Sequence, residues 1–215
     1  MSRLLLCSFG FVALPLVAAA AAPGTADPST SERLTAAAER NGLRPAVLEL
    51  ALKAHARATA EGKTTSPILT VIDYSRLSRE KRLWVLDVSR GVVLEHELVA
   101  HGRNTGGDES ERFSNRAGSL QSSLGTFITG AIYHGKHGLS LRLEGLDASN
   151  DQAMARAIVL HGADYVNPGI VSQLGRLGRS QGCPAVSRSA APRVIRLIKG
   201  GTVLFAYHPA ITAVS

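Results

Sequence analysis

From Ile68 onward the chain is a series of short β-rich runs, and this pattern most restricts what it can fold into. "ILTVIDYS", "RLWVLDVS" and "VVLEHELVAH" come first; "LGTFITGAIYH", "LSLRLEGL", "AIVLHGA" and "TVLFAYHP" follow. β-Branched and alternating apolar residues crowd these runs, and glycine, serine, asparagine or proline punctuates them. Arg90 and Gly91 read as a turn, so residues 82–101 predict a hairpin. "AIVLHGA" predicts a buried strand that ends at His161. Helical spacing is rarer. "SERLTAAAERNG" has serine and threonine to cap its start and Gly42 to stop it, and residues 45–62 open with Pro45, suited to a first helical turn. "SNDQAMARAIV" predicts a short helix capped by Ser149 or Asn150, and "SRSAAPRVIRLIKGG" another with a glycine stop. No internal repeat is present. The expected class is mainly β with peripheral helices (α+β): a helical N-terminal extension over residues 23–66, then a larger domain over 67–215.

The first 22 residues stand apart. Arg3, an apolar run over residues 4–17 and an alanine tract form the order of a secretory signal peptide, with cleavage expected near Ala20 to Ala22. The run is short for a spanning helix, which needs about 20 residues. No later stretch is apolar enough to span a bilayer. Of 24 basic residues only Arg3 leaves with the leader, so 23 basic face 17 acidic residues, a net charge of +6. A basic exported chain is attracted to anionic polymers and surfaces. The cations are spread out, no basic run interleaves with aromatics, and aromatics make up only 5%. Nucleic acid is therefore not the expected partner. The expected location is the periplasm or cell envelope.

Export sharpens the question of the cysteines. There are two, Cys7 in the leader and Cys183 in "RLGRSQGCPAVS". Without an internal partner Cys183 is a small core residue, an intermolecular bridge, a metal ligand or a nucleophile. A nucleophilic thiol needs a base and backbone N–H groups aimed at the developing oxyanion. Gly182 lets the backbone approach a carbonyl, the N–H groups of Gly182 and Cys183 are candidate donors, and Pro184 has none. His161–Gly162 lies 22 residues before Cys183. His101, His134 and His137 also sit beside glycines at strand ends, which suggests a cluster on one rim. His134, His137, His161 and Cys183 could form a zinc set, but the regular spacing of zinc motifs is missing. No cofactor or metal is expected. The 22-residue stretch "GRNTGGDESERFSNRAGSLQSS" is long for a loop in a compact domain and is expected to be functional or tied down by its own contacts. It is no phosphate loop, since Gly-Lys-Ser/Thr is absent.

The residues from about 68 to 208 resemble the YkuD-like murein L,D-transpeptidases. "IDYSRLSREKRLWVLDV", "VAHGRNTGG", "FSNRAGSLQSSLGTF", "YHGKHGLSLRLEGLD", "ARAIVLHGADYV" and "GRSQGCPAV" carry the resemblance, and only the helical region 31–62 lies outside it. His161–Gly162 and Ser180-Gln181-Gly182-Cys183 fit the family's paired motifs. The resemblance implies an L,D-transpeptidase-type β-sandwich and an enzyme that attacks peptidoglycan tetrapeptide stems. Cys183 is then the nucleophile that forms a thioester, His161 the base, and the Gly162 carbonyl the group that orients the imidazole. Gly182, Ser180, Gln181, Arg179 and His134 are the expected oxyanion or substrate contacts. Covalent inhibition by β-lactams, notably carbapenems, is implied as well. Two departures stand out: Gln181 replaces a histidine common before the Gly-Cys pair, and Pro184-Ala185 replaces an aliphatic residue followed by arginine or asparagine. Arg179 or Arg103 is expected to supply the missing positive charge. Other readings are an L,D-carboxypeptidase, a non-catalytic peptidoglycan-binding module with this fold, and an exported cysteine hydrolase of another amide or ester.

Overall fold

The computed structural model describes residues 28–213. The leader and its cleavage point lie outside the described residues. The elements run α1 (Pro28–Arg40), α2 (Pro45–Ala60), β1 (Ile68–Asp73), β2 (Lys81–Asp87), β3 (Val92–Leu98), β4 (Gly125–Gly135), β5 (Gly138–Gly145), β6 (Val159–Ala163), α3 (Pro168–Leu174), β7 (Ala185–Ser187), α4 (Ala191–Ile198), β8 (Val203–Tyr207) and a 3-10 turn (Pro209–Ala213). The expected class is the one observed. Its β layers belong to one eight-stranded sheet of order β3-β2-β1-β8-β4-β5-β6-β7. β1 with β8 and β6 with β7 pair in parallel; the other neighbours are antiparallel. Beyond β3, Ala100 bridges Ala185 and Gly102 bridges Ser180. The two ends of the sheet thereby meet, and the sheet is rolled into a nearly closed barrel.

Strand alternation divides the apolar residues between two cores. Ile72, Leu83, Val85, Leu204 and Ala206 face inward with Phe127, Leu141, Leu143 and Leu160. Helix α4 adds Val194, Ile195 and Ile198 to this core and touches β1, β2, β5 and β6. The intervening residues Leu69, Val71, Trp84, Leu86, Val203 and Phe205 face outward against Leu34, Ala38, Leu43, Val47, Leu48 and Ala51 of the helical extension. This is why β1 and β2 read as continuous apolar runs: both faces are covered. Trp84 fastens the two parts. It is fully buried, and its Nε1–H donates to the Asn41 carbonyl at 2.8 Å in the connection between α1 and α2. On β3, Glu95 and Glu97 both pair with Arg193 of α4.

Three expectations change. Residues 148–157 form consecutive turns, not a helix. The backbone closes successive turns of mixed span, and Asn150 ties them to their surroundings: its Oδ1 accepts the Asp147 N–H and its Nδ2 donates to the Thr126 carbonyl. The strand after it continues through Ala163, so His161 lies at its centre and not at its end. Helix α3 went unpredicted although its signals are present: Asn167 caps Ile170, Pro168 is the first residue, and Gly175 ends it at φ +67°.

A buried cation closes the seam. Arg82 is fully buried and donates to the carbonyls of Val99 and Arg76, to Ser110 Oγ, and to His101 Nδ1 at 2.7 Å. Its guanidinium lies over the Tyr74 ring, 5.1 Å from the centroid. Because arginine only donates, His101 Nδ1 accepts and Nε2–H points to the Gly106 carbonyl. Burial and the Arg82 charge lower the His101 pKa to about 4. The unfolded histidine titrates near pH 6.5, so between pH 6.5 and 4 the unfolded chain carries a proton that the folded chain lacks. Stability therefore falls on acidification through this window, by up to about 1.4 kcal/mol per pH unit from this group. Urea midpoints measured from pH 7 to 4.5 are expected to fall more steeply for the native chain than for His101→Asn; equal slopes contradict the assignment. Trp84→Ala is expected to cost about 3–5 kcal/mol in urea unfolding. Circular dichroism must report it, because Trp84 is the only tryptophan.

Candidate active site

Register explains how the thiol and the imidazole come together. His161 pairs with Ser140 of β5 on one side and Ala185 of β7 on the other. Carried back two residues, the parallel register sets Cys183 beside Val159, and Val159 N–H reaches Cys183 Sγ at 3.5 Å. Val159 and His161 are two residues apart on one strand, so they share a face at a spacing of about 7 Å. Cys183 and His161 both line a cavity of about 830 Å³. No hydrogen bond joins them among the described residues. Across the rung, His161 N–H donates to the Pro184 carbonyl at 3.4 Å.

His161 is buried, and its Nδ1 lies 3.0 Å from the Gly162 carbonyl. That carbonyl can only accept, so Nδ1 carries the proton and Nε2 is left with its lone pair. Burial, aided by the neighbouring cations, holds the His161 pKa below the ordinary histidine range. Gly162 permits close packing here: a Cβ would sit 3.0 Å from Ala191 Cβ and 3.2 Å from Arg188 Cα.

The turn that carries the thiol is stapled from several directions. Ser180 N–H donates to the His101 carbonyl, Ser180 Oγ donates to the Cys183 carbonyl at 2.6 Å, and Gly182 N–H donates to Ser180 Oγ at 3.1 Å. Ser122 Oγ donates to the Gly182 carbonyl. Gly182 has φ +125°, and a Cβ there would meet the Gln121 carbonyl oxygen at 2.8 Å, so only glycine fits. Of the two N–H groups expected to face an oxyanion, that of Gly182 is engaged by Ser180. That of Cys183 has no partner among the described residues.

The long loop 102–123 is tied down by Arg156, which no sequence signal singled out. Its guanidinium donates to the carbonyls of Ser114 and Gln121, both at 2.6 Å, and to the hydroxyls of Ser123 and Ser119. The same group lies behind the thiol, near enough to influence its charge. Arg103, Lys136 and Arg179 join Arg156 in the cavity wall, and no aspartate or glutamate does. Arg179 also donates to the Gly106 carbonyl at 2.8 Å. Gln181 lies exposed at the cavity. His134 is not brought there. Tyr133 lines the cavity, and strand alternation turns its neighbour His134 to the other, exposed face. His137 stacks on His161 instead. Among the described residues no three metal-ligating side chains converge, so the zinc set is not assembled.

Cys183 is half-buried, and burial pushes its pKa above the ordinary thiol value, with the Val159 N–H and the Arg156 charge opposing. At neutral pH the resting pair is therefore a neutral thiol and a neutral imidazole. The expected rate of alkylation by iodoacetamide rises with pH to a midpoint above that of a free cysteine. Arg156→Met removes the opposing charge and is expected to move the midpoint higher still. A midpoint well below pH 8, or an unmoved one in Arg156→Met, contradicts this electrostatic account.

The family described as the L,D-transpeptidase catalytic domain matches residues 39–207. The match takes in α2 and all eight strands, so the family unit starts before the point where the sequence resemblance placed it. No curated protein sequence is significantly similar to the chain. Solved structures similar to it include an L,D-transpeptidase from Mycobacterium smegmatis, at 15% identity and TM-score 0.43, covering 66% of this chain and 59% of that one. L,D-transpeptidase 3 from Mycobacterium tuberculosis is 13% identical, with TM-score 0.44 and coverages of 66% and 61%. The structure of that protein in complex with a faropenem-derived adduct gives 13%, 0.43, 66% and 60%. The chain thus spans about three fifths of the length of these structures. With 39–207 matched from the second helix to the last strand, the chain belongs to the L,D-transpeptidase catalytic domain family.

Proposed function

We propose that the chain is an exported L,D-transpeptidase, a cysteine acyltransferase acting on peptidoglycan tetrapeptide stems. One observation carries this reading beyond family membership: Cys183, on the turn that enters β7, and His161, on the adjoining strand β6, line one cavity, with His161 Nδ1 held by the Gly162 carbonyl. A fixed tautomer suits a general base, because Nε2 is then ready to take a proton.

The neutral resting pair sets the order of events. The thiol proton passes to His161 Nε2 as the sulfur attacks the carbonyl carbon of the L-centre. The Cys183 N–H is the candidate donor to the developing oxyanion. The bond to the terminal D-alanine then breaks, and His161 returns the proton to the departing amine. A thioester remains. An acceptor amine next gives its proton to His161 and attacks the thioester, the C–S bond breaks, and the thiol is restored. Water in place of the amine gives a carboxypeptidase by the same steps. Arg103, Lys136 and Arg179 suit the carboxylates of a stem peptide, and the acid-free wall supports that class of substrate. Ser180 serves by holding the turn.

Residues 1–22, read as a leader, support export to the periplasm or cell envelope. No described helix is long and apolar enough to cross a membrane. A β-lactam carbonyl is open to the same attack, so a carbapenem is expected to acylate Cys183.

Purified protein is expected to release D-alanine from tetrapeptide muropeptides or to crosslink them, read by mass spectrometry. Cys183→Ala is expected to lose this turnover about a thousand-fold or more, and His161→Gln about a hundred-fold or more. Imipenem is expected to add mass to the native chain and not to Cys183→Ala. Equal turnover by Cys183→Ala overturns the nucleophile. Binding to sacculi without turnover or acylation favours a non-catalytic wall-binding module, the reading that the raised thiol pKa also accommodates.

A further inference from the structure

The hairpin between β4 and β5 carries a group that the steps above do not use. Gly135 pairs with Gly138, so Lys136 and His137 form the tip, and Gly138 takes φ +76° to close the turn. His137 is exposed on the hairpin, yet its ring stacks on that of His161: the centroids are 4.3 Å apart and the planes 25° from parallel. Both rings border the cavity. His161 is thus gripped twice, at its edge by the Gly162 carbonyl and on one face by a second imidazole.

We propose that His137 is a positioning residue for His161: its ring covers one face of the base, keeps water from that face, and holds the imidazole neutral in the plane set by the Gly162 carbonyl. This rests on the reading of His161 as the base. The charged groups that reach the pair are Lys136 on the same tip and Arg188 after β7; Cys183 and Arg156 line the same cavity. Arg188 in turn pairs with Asp164. The surroundings are thus cationic, and they oppose a proton on either ring. Burial is the larger effect on His161, with the His137 charge a smaller one. The His137 ring supplies part of that burial.

A nuclear magnetic resonance titration of the His161 Cε1–H signal, assigned with His161→Gln, separates the two. In the native chain the midpoint is expected below the ordinary histidine value of about 6.5. His137→Ala uncovers the ring and is expected to raise it by about half a pH unit or more. His137→Phe keeps a flat cover without a charge and is expected to stay near the native midpoint. An unmoved midpoint in His137→Ala overturns the proposal, as does an equal rise in both variants. The substitutions fall on an exposed turn, and unchanged thermal midpoints verify the fold. The acid limb of imipenem acylation is expected to shift with the His161 midpoint. If the midpoint moves and the limb does not, His161 is not the base, and the assignment of its role fails while the stacking effect stands.

Discussion

Strand β7 is three residues long, and the site depends on it. On one side it pairs in parallel with β6, which sets Ala185 opposite His161 and so sets Cys183 opposite Val159. On the other side Ala185 exchanges hydrogen bonds with Ala100, where the chain leaves β3. Together with the Gly102–Ser180 bridge, Ala185 thus joins the two ends of the sheet, and its register with His161 sets the spacing of thiol and imidazole along the barrel. Arg82 supports the same seam from within, through the Val99 carbonyl and His101, and the His101 carbonyl in turn accepts the Ser180 N–H. Closure of the fold and assembly of the site are one event.

The electrostatics follow from that closure. A rolled sheet buries both reactive groups, and burial opposes charge on each: the thiol is held protonated and the imidazole unprotonated. A preformed ion pair is disfavoured; under the proposed mechanism, charge separation waits until a carbonyl is present to receive the sulfur, and the cations around the cavity would offset part of its cost. Asp164, directly after β6, is engaged by Arg188.

The β-rich runs, the hairpin over residues 82–101, α2 and the His161–Gly162 and Ser180–Cys183 motifs were legible in the sequence because each is encoded locally. Pro45 starts a helix, Arg90 and Gly91 turn a hairpin, and alternation marks a strand. What escaped was encoded by partners distant in sequence. Strand β7 is too short to show a period and exists because β6 and Ala100 flank it. The turns of residues 148–157 have helical composition, but the Asp147 carboxylate is spent on the Thr126 N–H, and the Asn150 amide on the Thr126 carbonyl and the Asp147 backbone N–H. Arg156 carries no signal in the sequence, since its four acceptors belong to a loop more than thirty residues earlier. His137 could be placed on a rim but not on His161, because a stack across two strands leaves no mark in spacing.

The pairing of Arg193 with Glu95 and Glu97 has a meaning for the molecule's company as well as its interior. β3 ends the sheet, and such a strand ordinarily offers its unpaired backbone groups to any extended segment that drifts by. Here it carries two carboxylates latched by one guanidinium, and the chain beyond it turns at once to meet β7. Charged side chains on a strand of this kind, and its closure onto β7 just beyond, are features that work against a second copy adding a strand there.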